Sequence, residues 1–103
     1  MDIAILGAGV GGLSTAIALK GQGYDVVVYE RQPQLSTIGA GIVCWPNACF
    51  VLQQLGLLES VRQVAGEPVA MCRYTATGES IGRVDIQQLN RLMGFPSYSV
   101  LRR

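Results

Sequence analysis

The sequence contains no histidine and only three cysteines, which are Cys44, Cys49 and Cys72. These cysteines lack the paired spacing of zinc ligands, so no metal site is expected. Their odd number also argues against a secreted disulfide framework. We therefore expect reduced thiols in a cytoplasmic protein.

The sequence also lacks an excess of either charge and any long apolar run. Eight Lys and Arg residues stand against seven Asp and Glu residues, which gives a net charge of +1. This balance favours neither nucleic acid nor an anionic membrane as a partner. The apolar runs are too short for a signal peptide or a membrane span. A composition with 50% hydrophobic and 15% charged residues instead predicts a small folded domain.

The first 30 residues have the order strand, glycine-rich turn, helix, strand and acidic residue. The segments that give this order are Ile3–Leu6, Gly7–Gly12, Val10–Lys20, Val26–Tyr29 and Glu30. This order predicts a βαβ unit of the kind that binds dinucleotides. The unalternating aliphatic strands are typical of parallel strands covered on both faces. On the helix, we expect Leu13, Ala16, Ile17 and Ala18 to be able to face the sheet.

The glycines of this turn have separate roles in such a unit. Gly7 permits a sharp turn, Gly9 permits close approach of a pyrophosphate, and Gly12 permits close packing of helix on strand. Glu30 follows Gly12 at close to the spacing of about 20 residues expected for an acid that binds ribose. A carboxylate there favours FAD or NAD over NADP. The alternative interpretation is a tight turn that binds no ligand.

The rest of the chain predicts further helices and an antiparallel hairpin. Residues 32–41 are polar and predict a loop, and Pro46 suits the first position of a helix that ends at Gly56. The remaining predicted elements are a helix over 57–65, a hairpin over 69–86, a short helix over 87–93 and an extended segment over 97–101. A hairpin does not naturally extend a parallel sheet, so we assign it to a second sheet.

Several motifs together resemble one enzyme family. They are the glycine turn, Glu30-Arg31, Gly39-Ala40-Gly41-Ile42, Pro46-Asn47-Ala48 and Leu55-Gly56-Leu57. The chain resembles the class A FAD-dependent aromatic monooxygenases of the para-hydroxybenzoate hydroxylase-like group, and within it the salicylate- and 6-hydroxynicotinate-hydroxylating enzymes. The resemblance covers the whole chain but only the first quarter of such an enzyme. We therefore expect an N-terminal fragment that is inactive alone.

The resemblance implies an α/β fold with a Rossmann-like FAD domain and the roles of individual residues. It assigns the FAD pyrophosphate to Gly7, Gly9, Gly11 and Gly12, with Val10 as a further cofactor-binding residue. It assigns the adenosine ribose to Glu30, the adenine side to Arg31, the flavin end to Gly41, Ile42 and Val43, and a further FAD contact to Arg103. It also implies domain boundaries: an FAD-binding part over 1–66, the start of a substrate-domain sheet over 67–96 and a return strand over 97–103.

The activity implied by the resemblance is hydroxylation of a small aromatic substrate with NAD(P)H and O₂. No catalytic residue can be nominated among these residues. Two other hypotheses stay open. One is the nucleotide-binding domain of an NAD-dependent dehydrogenase. The other is a non-catalytic nucleotide-binding or interaction fragment, completed by a second copy or by a missing C-terminal part, because two strands alone leave open sheet edges.

Overall fold

The computed structural model describes residues 2–33 and 41–101. These two ranges belong to two compact units. Within these ranges, the first unit contains one helix and two strands, and the second contains three helices and four strands. The chain is therefore a mixed α/β protein, as the sequence predicts.

The first unit is the predicted βαβ unit. It consists of β1 (Asp2–Leu6), α1 (Val10–Gly21) and β2 (Asp25–Tyr29). The two strands are parallel neighbours along their whole length. A right-handed crossover through a helix is the usual way to join such strands. The predicted order of strand, turn, helix and strand is confirmed.

The prediction that both faces of these strands are covered is wrong for this unit. Exposed and half-buried positions alternate along β1 and β2, and the side chains of Leu6 and Tyr29 are 85% and 58% exposed. The physical reason is that α1 covers one face, and the described part of the first unit holds no second helix.

The prediction of which residues of α1 face the sheet is also partly wrong. The less exposed positions include Gly12, Ala16 and Leu19, which recur at helical spacing, whereas Leu13 and Ile17 are exposed. Ala16 is thus the one predicted sheet-facing residue of α1 that is among its less exposed positions.

The second unit contains the remaining elements. In chain order they are β3 (Gly41–Cys44), α2 (Pro46–Gln54), α3 (Leu58–Val64), β4 (Ala70–Tyr74), β5 (Ser80–Asp85), α4 (Ile86–Met93) and β6 (Tyr98–Leu101). The antiparallel pair β4 and β5 confirms the predicted hairpin. The sequence predicts an extended segment near β6 but not its antiparallel pairing with β3, and it assigns residue 41, the first of β3, to a loop. The rest of that loop, residues 34–40, lies outside the described residues.

The core of the second unit is small. Cys49 of α2, Ile86 of α4 and Tyr98 of β6 are its buried hydrophobic side chains among the described residues. The buried Ser97 hydroxyl donates a hydrogen bond to Asn90 Oδ1 at 2.7 Å, so this polar group is satisfied. The rings of Phe50 and Phe95 pack edge to face with centroids 5.5 Å apart.

None of the helices in residues 2–33 and 41–101 has the length and apolar character needed to cross a membrane.

Candidate functional site

The turn between β1 and α1 has a conformation that requires glycine at its start. Gly7 has φ of +104°, a region that L side chains rarely adopt. Its N–H donates to the carbonyl oxygen of Tyr29 at 2.7 Å. The main chain therefore leaves β1 sharply while the start of the turn stays attached to β2.

Gly12 lies in the first turn of α1 where no side chain fits. A Cβ at this position would lie 2.0 Å from the carbonyl oxygen of Gly7 and 3.5 Å from Ile5 Cγ2. By contrast, a Cβ at Gly9 or Gly11 would meet no heavy atom within 4 Å. Gly12 thus permits close packing within the unit, whereas Gly9 and Gly11 leave open space in front of the turn.

The N-terminus of α1 has the properties of an anion-binding site. Gly9 is the N-cap residue, no side chain accepts a hydrogen bond from the first turn, and this turn carries no acidic residue. The first N–H groups of a helix lack partners within the helix, and its dipole makes this end partly positive. A pyrophosphate placed there would satisfy these donors.

Glu30 follows β2 and extends its carboxylate to the glycine turn. Its Oε2 accepts a hydrogen bond from the Ala8 N–H at 2.9 Å, and its Oε1 accepts one from the Gln32 N–H at 3.1 Å. These bonds, with that from Ala8 first, hold the pKa of the Glu30 carboxyl below its usual range. The group is therefore charged at neutral pH and can accept hydrogen bonds from a ribose diol. Nothing in the sequence motif marks Ala8 as a partner of this residue.

A groove of about 490 Å³ lies at the carboxyl ends of the two strands. It is lined by Leu6, Gly7, Tyr29, Glu30 and Arg31. Leu6 and Tyr29 were not among the predicted site residues, although each is the last residue of its strand. The general rule that ligands of open α/β sheets bind beyond the carboxyl ends of the strands could have identified them.

The predicted site residues of the first unit therefore lie together. These are Gly7, Gly9, Val10, Gly11, Gly12, Glu30 and Arg31. Gly41, Ile42 and Val43 belong to the second unit, where they form most of β3 and pair with β6. Their role at the flavin end of a cofactor stays a prediction. Arg103, predicted to contact FAD, lies outside the described residues.

Burial lowers the reactivity of two thiols of the second unit, Cys44 and Cys49. Burial raises the pKa of the Cys44 thiol, and burial is also the main cause of the raised pKa of Cys49. The Cys49 thiol donates to the carbonyl oxygen of Cys44 at 3.5 Å. A raised pKa lowers the fraction of thiolate, which is the reactive form of the side chain.

Comparison with known families agrees with this geometry. A family model described as FAD dependent oxidoreductase matches residues 2–75, which include the whole βαβ unit. The chain belongs to this family of FAD-dependent oxidoreductases.

Individual relatives are similar along nearly the whole chain. The FAD-dependent monooxygenase pynG of Aspergillus niger is 39% identical over 101 residues, which are 98% of this chain and 23% of the relative. The FAD-dependent urate hydroxylase of Mycolicibacterium vanbaalenii is 37% identical over 103 residues, which are 99% of this chain and 26% of the relative. The chain spans about a quarter of the length of these curated relatives.

A solved structure is also similar along nearly the whole chain. The crystal structure of Klebsiella pneumoniae HpxO complexed with FAD and uric acid matches with a TM-score of 0.81 and 34% identity. The match covers 99% of this chain and 26% of that chain.

The residues of the first unit fit the adenosine diphosphate part of FAD. Open space lies in front of Gly9 and Gly11, the N-terminus of α1 has no capping side chain, and a charged carboxylate stands beside the turn. An anion needs the first two features, and a ribose diol needs the third.

Proposed function

We propose that this chain forms the adenosine-diphosphate-binding part of a flavoprotein monooxygenase that hydroxylates an aromatic substrate with NAD(P)H and O₂. The observation that carries the proposal is the glycine turn of the first unit, with Gly12 packed on Gly7 and the Glu30 carboxylate held beside Ala8. The membership of the chain in the FAD-dependent oxidoreductases makes FAD the dinucleotide for this turn.

Each residue of the proposed site acts by binding or orienting the cofactor. The N–H groups at the start of α1, together with Gly9 and Gly11, would hold the pyrophosphate, because they present donors without side chains in front of them. Glu30 would accept from the ribose, and Arg31 would lie along the adenine. Gly41, Ile42 and Val43 would approach the flavin end, and Arg103 would add a further contact.

The bound FAD supplies the redox chemistry of the reaction, and the protein supplies its position and surroundings. We nominate no acid, base or nucleophile from the described residues. The hairpin of β4 and β5 is our candidate for the first part of a substrate-binding sheet, within the proposed range 67–96. Residues 1–66 and 97–103 would then belong to the FAD-binding part.

Partners and location are part of the same proposal. Several relatives are named urate hydroxylases, and one solved relative is described as a tetrameric form. These names support an aromatic or heterocyclic substrate and a homo-oligomer here. The exposed face of β1 and β2, which includes Leu6 and Tyr29, would be covered by further protein. The three free cysteines favour a reducing compartment, and we propose the cytoplasm.

The proposal is tested by flavin absorbance and ligand binding. The protein produced from the complete gene should purify with the absorption bands of bound flavin and should consume NAD(P)H and O₂ when an aromatic substrate is added. The 103-residue chain should bind ADP in a calorimetric titration. A colourless complete protein that binds NAD but no FAD would overturn the proposal.

A further inference from the structure

We propose that Glu30 is a positioning residue, whose carboxylate holds the Ala8 N–H and keeps the glycine turn in its binding conformation before any nucleotide arrives. This inference rests on the proposed function, and it adds a role to Glu30 besides contact with ribose.

The turn is attached to the end of β2 through two consecutive N–H groups. The Gly7 N–H donates to the main-chain carbonyl of Tyr29 at 2.7 Å, and the Ala8 N–H donates to Glu30 Oε2 at 2.9 Å. The first bond continues the pairing of β1 with β2. The bond from Ala8 extends this pairing by one residue, with a carboxylate of a side chain as the acceptor in place of a main-chain carbonyl. Hydrogen bonds to a charged acceptor are stronger than those between neutral groups.

The second oxygen of the carboxylate fixes its orientation. Oε1 accepts from the Gln32 N–H at 3.1 Å. One oxygen is therefore held by an N–H of the glycine turn and the other by an N–H two residues further along the chain. An ionised carboxylate has about four acceptor sites, and these bonds use two of them. The remaining lone pairs can accept ribose hydroxyls, so one side chain can serve the turn and the ligand together.

The composition of the turn explains why such an attachment is useful. Four of the six residues from Gly7 to Gly12 are glycine, and glycine loses more conformational freedom on folding than any other residue. A hydrogen bond that fixes Ala8 orders the turn before the ligand binds. Less conformational entropy is then lost in the binding step itself. It also removes the Ala8 N–H from the donors available to the pyrophosphate, which therefore begin at Gly9.

Substitutions can separate the two roles of Glu30. Glu30→Gln keeps the size of the side chain, but its amide has one acceptor oxygen, and its NH₂ group would face a second N–H donor. Glu30→Ala removes both acceptors. Asp25→Asn is the matched control. Asp25 is the first residue of β2, at the end far from Glu30, and this substitution also removes one negative charge.

The first experiment measures hydrogen exchange of the Ala8 amide in the full chain without nucleotide. We expect Ala8 to exchange roughly tenfold faster in Glu30→Gln than in the unchanged protein, and to be unaffected in Asp25→Asn. The amides of Ile5 and Val27 face the partner strand, so they report whether the strands remain paired in each variant. Equal protection of Ala8 in Glu30→Gln and the unchanged protein would overturn the proposal.

The second experiment compares ADP with 2′,3′-dideoxy-ADP, which has no ribose hydroxyls. If Glu30 acted only on the ribose, its substitution would weaken ADP and leave the dideoxy compound unchanged. We expect Glu30→Gln to weaken binding of both compounds several-fold, and equal affinity for the dideoxy compound would contradict the positioning role. If the unchanged protein binds no ADP, the proposed function fails, while exchange at Ala8 still decides the role of Glu30.

Discussion

Gly12 and Gly7 are so close that a Cβ on Gly12 would lie 2.0 Å from the Gly7 carbonyl oxygen. The carbonyl cannot move away freely, because the Gly7 N–H is bonded to Tyr29 at the end of the neighbouring strand. The start of α1 therefore packs directly on the main chain that follows β1, and neither can shift without the other.

Gly12→Ala should destabilise the chain by about 1–3 kcal/mol, the usual cost of forcing an extra carbon into a packed site. The measurement is unfolding by urea. The control is Gly21→Ala in the same helix, where an added Cβ meets nothing within 4 Å and a small gain from helix propensity is expected. Equal free energies of unfolding for the two variants would show that the contact does not restrict position 12.

The charge of Glu30 should discriminate against a phosphate on the ribose 2′ position. We expect AMP to bind about fivefold to tenfold more tightly than adenosine 2′,5′-bisphosphate at low salt, because two negative charges near 4 Å repel even in a watery site. Glu30→Gln should narrow this ratio, and added salt should narrow it too. A ratio that is the same in both proteins would exclude Glu30 as its cause.

The hydrogen bonds of Glu30 should depend on pH. Because the pKa of this carboxyl is lowered in the folded protein, its stabilising effect is complete above the unfolded value of about 4.3 and is lost as the pH falls through the lower folded value. In an NMR titration, the amide shifts of Ala8 and Gln32 should stay constant between roughly pH 7 and 5 and move together below roughly pH 4. Glu30→Gln should give a flat profile for both amides.

The three cysteines should differ in their rates of alkylation. Cys72 is exposed on β4, whereas Cys49 has 0% exposure and its thiol has a raised pKa. At pH 8 we expect one fast reaction, which Cys72→Ser removes, and a reaction of Cys49 only after unfolding. Cys49→Ser should retain the fast reaction. Fast alkylation of Cys49 in the folded chain would contradict its place in the core.

Asp85 should stabilise the short helix α4 as its N-cap. Its Oδ1 accepts a hydrogen bond from the Gln88 N–H at 3.2 Å. Asp85→Ala should reduce the free energy of unfolding by about 1 kcal/mol, and Asp85→Asn should cost less because an acceptor remains. Thermal unfolding of the two variants measures this difference.

The sequence predicts those features of the fold that depend on local patterns. The glycine turn and the proline that begins α2 each fix the backbone nearby, and the structure has the corresponding elements. The pairing of β3 with β6 depends on residues far apart in the chain, and no local signal reports it.

The candidate site is divided in the same way. The glycine positions follow from the motif, but the partner of the Glu30 carboxylate does not, because Ala8 contributes only an N–H that every residue except proline possesses. Leu6 and Tyr29 line the groove because they end their strands, so their identity as apolar residues gives no signal.

The antiparallel pairing of β3 with β6 has a consequence for the order of folding. In the chain, α2, α3, the hairpin and α4 all lie between these two strands. Loop closure over a long unstructured segment is entropically costly, while a hairpin and short helices form within microseconds. We therefore expect the hairpin to acquire structure early and the β3–β6 ladder to close last in the second unit, as its slowest kinetic step.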